Sequence, residues 1–124
     1  MWLQTTVGAY SINCADTAPG SGVLDPDTLM VRARRREHLE LLQGQCEAIA
    51  EFPIIETPRG DYRWRIVAPK AVVAKVVAEL VLGVDFDNFK SACAKREAEL
   101  GPGYGAALHS IWSVLAQFGQ RSSS

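Results

Sequence analysis

The chain has 124 residues, 48% hydrophobic and 22% charged, which is one domain's worth of sequence with enough apolar content to bury a core. Thirteen Lys and Arg against fourteen Asp and Glu leave a net charge of −1, which excludes global attraction to nucleic acid or an anionic membrane; such binding needs a local patch. Cys14, Cys46 and Cys93 are few, odd in number and widely spaced, which argues against a disulfide framework and fits a reducing compartment.

In chain order, Trp2–Thr5 and residues 9–14 read as two short strands, with Val7-Gly8 supplying a hairpin turn. Residues 15–28, ADTAPGSGVLDPDT, are rich in Gly, Pro, Asp and Ser and read as a long mobile loop. In residues 29–34, Leu29, Val31 and Ala33 alternate with Met30, Arg32 and Arg34, the period of a half-buried strand. A helix follows from Arg35 to about Ala50, with Leu39, Leu42, Cys46 and Ile49 at helical spacing and Gly44 weakening its middle.

Residues 52–57 form a short, edge-like strand because of Pro53. Thr57-Pro58-Arg59-Gly60-Asp61 is turn chemistry, which predicts a second hairpin between residues 54–57 and 62–67. In that last strand Tyr62, Trp64 and Ile66 share one side, and Arg63 and Arg65 the other. Pro69 suits a helix start, and Val72, Val73, Val76, Val77, Leu80 and Val81 recur at three and four residues up to a stop at Gly83. Asp85 or Asp87 is expected to cap a helix from Phe86 to about Leu100. After the break at residues 101–105, a last helix over residues 106–118 sets Leu108, Ile111, Leu115 and Phe118 on one stripe with Trp112 beside it.

The expected fold is α+β: a single antiparallel sheet of four to five strands in two hairpins, packed by three to four helices that lie mainly towards the C-terminus. One domain covers residues 1–118, and residues 119–124 are expected to be a disordered tail. No basic start with an apolar run marks a signal peptide, and residues 71–84, the longest apolar stretch, are too short to span a bilayer. A cytoplasmic location with no membrane partner is therefore expected.

The runs MWLQTTVGAYSI, DPDTLMVRAR with HLELL, TPRGDYRWRIVAP, VDFDNFK and IWSVL resemble a family of short bacterial and phage proteins without an assigned biochemical activity. The pattern VRAR … DYRWR … DFDNFK covers most of the chain and carries no catalytic residues. What the resemblance implies is an accessory role in a phage or mobile element, including inhibition of a bacterial defence complex in the manner of an anti-CRISPR.

The residues themselves single out arginines. If Val31 and Ala33 bury against the same helices as Tyr62, Trp64 and Ile66, then Arg32, Arg34, Arg63 and Arg65 emerge on one open sheet face. Arg35 and Arg36 extend the basic run into a helix start, where cations oppose the helix dipole. Such a face is either relieved by internal salt bridges to acidic neighbours such as Glu56 or awaits an anionic partner, and guanidinium groups so gathered suit carboxylates or phosphates. An acidic protein surface is the expected partner; nucleic acid is the alternative, weakened because Tyr62 and Trp64 face away from the arginines and leave no stacking platform. A homodimer through the last helix is a further expectation. No catalytic set, no metal site and no cofactor is expected: His38 and His109 stand alone, no Cys-x-x-Cys occurs, and the aspartates at residues 85 and 87 read as caps.

Overall fold

The computed structural model describes residues 1–122. One antiparallel sheet of five strands is built from β1 (Trp2–Thr5), β2 (Gly8–Asp16), β3 (Leu24–Ala33), β4 (Ile55–Glu56) and β5 (Trp64–Pro69), in the order β1-β2-β3-β5-β4. The helices are α1 (Arg36–Gln45), α2 (Lys70–Leu82), α3 (Phe89–Ala94), α4 (Glu97–Leu100) and α5 (Tyr104–Ser122), with a 3-10 turn at Glu47–Ile49. The fold is α+β, as the alternation and the helical spacings imply. Among the described residues there are five helices, one more than expected, because the segment after Asp87 divides into α3 and α4. The chain separates into two units, Met1–Asp85 and Phe86–Ser124.

In the first unit α1, α2 and the 3-10 turn pack on one face of the sheet. Paired residues share a face, so Ile12 opposite Val31, Val31 opposite Ile66 and Ala33 opposite Trp64 define the inner side. That side meets Leu39 and Leu42 of α1, Cys46, Ile49, and Val73 and Val76 of α2, all essentially inaccessible to solvent. Each such side chain stabilises the fold by about 1.5–3 kcal/mol when fully buried. The three- and four-residue spacing of the valines therefore overrides their preference for strands.

Three sequence expectations change. The loop shrinks to residues 17–23, because Leu24–Ala33 and Gly8–Asp16 pair as one long hairpin. Asp25 stands opposite Ala15 and Leu29 opposite Cys14, so Pro26, Asp27 and Thr28 fall in the irregularity between those pairs. A bulge is where proline fits within a sheet, and the Asp25 carboxylate accepts from the Asp27 N–H at 2.9 Å. Turn-forming residues thus sit inside a strand.

Asn88, not Asp85 or Asp87, caps α3: its side-chain oxygen accepts from the Ser91 N–H at 2.9 Å. The last helix begins at Tyr104 and continues through Ser122, past the expected end at Phe118; Ser123 and Ser124 of the expected tail lie outside the described residues.

In the second unit Cys93, Leu100, Tyr104 and Leu108 are buried. Of the apolar stripe on α5 only Leu108 is covered. Ile111, Trp112, Leu115 and Phe118 are exposed, together with Val114.

The start of the first hairpin is tightly packed. Gly8 has φ +152°, and a β-carbon there would lie 2.6 Å from Cβ of His38 and 2.8 Å from the Tyr10 hydroxyl. Those neighbours cannot give way easily: both are buried, the Tyr10 hydroxyl donates to the His38 carbonyl at 2.7 Å, and Nδ1 of His38 accepts from the Ala9 N–H at 3.3 Å. Gly8→Ala is expected to destabilise the chain by about 2–4 kcal/mol through backbone strain and overpacking, seen as a lower urea midpoint with an unchanged slope.

Cys46 gives a second test. Burial, then the nearby Glu79 carboxylate, push its thiol up to about 11 from the ordinary 9.0. Above that ordinary value the unfolded chain loses the proton while the folded chain keeps it. The contribution to stability is therefore complete below pH 9.0 and is lost as pH rises towards about 11. Urea titrations across this window should show a fall of up to roughly 2 kcal/mol that is smaller in Cys46→Ala.

Candidate anion-binding face of the sheet

The outer face of the sheet is set by the same register that builds the core. Trp2 pairs with Ser11, Ser11 with Arg32, Arg32 with Arg65, and Arg65 with Ile55, so one row crosses all five strands. The adjacent row holds Asn13, Met30 and Val67. None of these positions is a carboxylate.

Two like charges therefore oppose each other directly at the middle of the sheet. Both side chains are half-buried. An Nη of Arg32 donates to Ser11 Oγ at 3.0 Å, and one of Arg65 reaches the weak acceptor Met30 Sδ at 3.2 Å. The Nε atoms of both are buried with no hydrogen-bond partner. Burial, and then the Arg32 charge, lower the pKa of Arg65. Among the described residues no carboxylate forms an ion pair with either side chain.

The other four candidate arginines, Arg34, Arg35, Arg36 and Arg63, differ from this pair. Arg34 meets Asp61 at 2.8 Å, and that hydrogen bond raises its pKa. Arg63 is bound by Glu56 at 2.6 Å and lies 5.6 Å from the Trp64 ring. Arg36 is over the same ring, at 5.3 Å, and within 3.8 Å of Glu40. Arg35 is exposed at the N-cap of α1. Arg34 stays beside Arg32, over the Tyr62 ring, but Asp61 pairs with it, and Glu56 pairs with Arg63. The physical reason is that β5 begins at Trp64, and the turn before it brings Asp61 within reach of Arg34.

The same break moves Tyr62. It does not join Trp64 and Ile66 on the inner side; the guanidinium carbons of Arg32 and Arg34 lie 4.6 and 4.2 Å from its ring centre. These are cation–π distances. An aromatic ring thus accompanies the arginines after all. Trp2, 73% exposed, and Ile55 at the row's two ends were not singled out in the sequence, since a face is recognised only once the register is known.

Among the described residues no group of three or more His, Cys, Asp or Glu converges as a metal site, and no helix is long and apolar enough to cross a membrane. Compared with known proteins, the chain matches no family model, no curated protein and no solved structure.

Opposed, half-buried cations destabilise a sheet mildly. Arg65→Met, which keeps much of the stem and removes the charge, should raise stability by a few tenths up to about 1 kcal/mol in urea melts at low salt. Arg34→Met, which breaks an ion pair, should instead be neutral or lose up to about 1 kcal/mol. A loss at Arg65 equal to that at Arg34 would remove the case for unrelieved charge.

Proposed function

We propose that the chain is a non-enzymatic binding module that docks its outer sheet face on an acidic protein surface. The observation that carries this is the direct opposition of Arg32 and Arg65 in the middle of two cross-strand rows that hold no carboxylate. Uncompensated charge on a folded surface is held against its own repulsion, and a carboxylate-rich partner relieves that repulsion while supplying acceptors for the guanidinium forks. The likeness of motifs supports the setting: an accessory protein of a phage or mobile element that covers a functional surface of a larger complex, such as a bacterial defence complex. The exposed apolar row on α5 supports self-association as a separate property of the second unit.

A second reading, nucleic-acid binding, is favoured by one observation, the Tyr62 ring on the arginine side. It ranks below the first because Asp61 and Glu56 already occupy Arg34 and Arg63. Two opposed guanidinium groups inside the sheet do not make the run of charge that tracks a phosphate backbone.

Calorimetric titration of the full chain with a polyglutamate peptide and with a single-stranded oligonucleotide, at about 150 mM salt, separates the two. The peptide should bind, and Arg32→Ala or Arg65→Ala should weaken it roughly tenfold, with circular dichroism confirming the fold. Oligonucleotide binding tighter than about 1 μM, falling steeply with salt, would give the face to nucleic acid instead.

A further inference from the structure

We propose that a second copy of this chain covers the exposed stripe of α5, the two helices packing antiparallel through their C-terminal halves. The inference concerns the second unit and does not depend on the docking face of the sheet. Its basis is an apolar stripe that is covered along half its length and bare along the rest. Tyr104, Leu108, Ile111, Leu115 and Phe118 recur at alternating steps of four and three residues, the spacing of a seam between paired helices. Tyr104 and Leu108 are buried where α3 and α4 pack on α5, together with Cys93 and Leu100. Ile111, Leu115 and Phe118 are instead 42%, 61% and 68% exposed. Val114 flanks this bare half on one side and Trp112 on the other, with the Lys90 ammonium 4.1 Å from the Trp112 ring centre.

Three features select a second copy as the occupant. Residues 104–120 contain no Lys, Arg, Asp or Glu, so a like helix meets no repulsion on the seam and a charged partner finds no ion pair there. The exposed parts of Ile111, Trp112, Val114, Leu115 and Phe118 come to roughly 600 Å² on each copy, and pairing them buries roughly 1,200 Å², which reaches the size of a specific interface. The unit itself, Phe86–Ser124, falls just under the size of about 40 residues below which association commonly completes a core.

Sterics set the direction. The N-terminal half of the seam is already occupied by α3 and α4, and a layer of helix is about 10 Å thick. In a parallel pair these layers meet at one height and hold the two copies of α5 apart. In an antiparallel pair they lie at opposite ends and the bare halves overlap. Ile111 of each copy then stands beside Phe118 of the other, the two contacts about 10 Å apart along the axis. Opposed helix dipoles favour the same direction.

Sedimentation equilibrium of the full chain between about 5 and about 500 μM should show an average mass rising from 13.5 kDa towards twice that value. Leu115→Glu sets two carboxylates against each other near the two-fold axis. It should hold the mass at that of one chain, with the circular dichroism of the dilute variant matching the parent. Leu82→Glu, at an exposed apolar residue of the first unit, should associate as the parent does. For the direction, Ile111→Cys and Phe118→Cys are made in a Cys14→Ser chain and oxidised separately and as a mixture. Covalent dimers should form in the mixture and be roughly tenfold scarcer with either variant alone, because a disulfide needs its two Cα atoms close together. A one-chain mass at every concentration, or association lost with Leu82→Glu and kept with Leu115→Glu, overturns the pairing. Cross-linking of each variant with itself in preference to the other overturns the antiparallel direction.

Discussion

The pairing of β3 with β5 is the constraint on which the rest of the molecule depends. Val31 stands opposite Ile66 and Ala33 opposite Trp64 because those side chains must face α1 and α2, and Arg32 then has no choice but to stand opposite Arg65. Slipping β5 by one residue against β3 would turn the Arg65 guanidinium into the core and Ile66 out of it. Burial of each apolar side chain is worth about 1.5–3 kcal/mol, whereas an opposed pair of like charges loses at most about 1 kcal/mol. The core wins, and the charge on the outer face is what that victory leaves behind.

How much of that charge remains available is decided by the turn between β4 and β5. Asp61 binds Arg34 and Glu56 binds Arg63, so the chain neutralises the arginines at the rim with its own carboxylates. The middle of the sheet has no such turn within reach. Its nearest polar neighbours are Ser11, Met30 and the Tyr62 ring, none of which carries a negative charge to offset the pair. Of the six arginines that look like one basic region in the sequence, Arg34, Arg36 and Arg63 are within reach of carboxylates of the chain, and Arg32 and Arg65 are the two that oppose each other inside the sheet. A narrow cationic centre between apolar ends is suited to recognising a protein surface by pattern, and poorly suited to following a polyanion along its length.

The second unit poses a different problem with the same chemistry. The apolar stripe of α5 has the spacing of a core-facing helix, but only Leu108 on it is buried. Periodicity reports that a face is apolar, and it does not report what covers that face.

The sequence by itself determined the elements whose signal is local: the alternating residues of β2, β3 and β5, the valine spacing of α2, the separate roles of Val31 and Arg32, and the stop at Gly83. These follow from the periods of two and 3.6, which a chain carries wherever it goes. It misplaced Leu24–Thr28 because Asp25 and Pro26 have turn chemistry and only the partner strand shows that they lie in a bulge. It misplaced Tyr62 because the point at which β5 begins is set by pairing with Ala33, thirty-one positions earlier. Tertiary structure alone decided which arginines keep a carboxylate and which do not. Asp61 is twenty-seven residues from Arg34, and charge compensation depends on distance in space, which letters in a line do not contain.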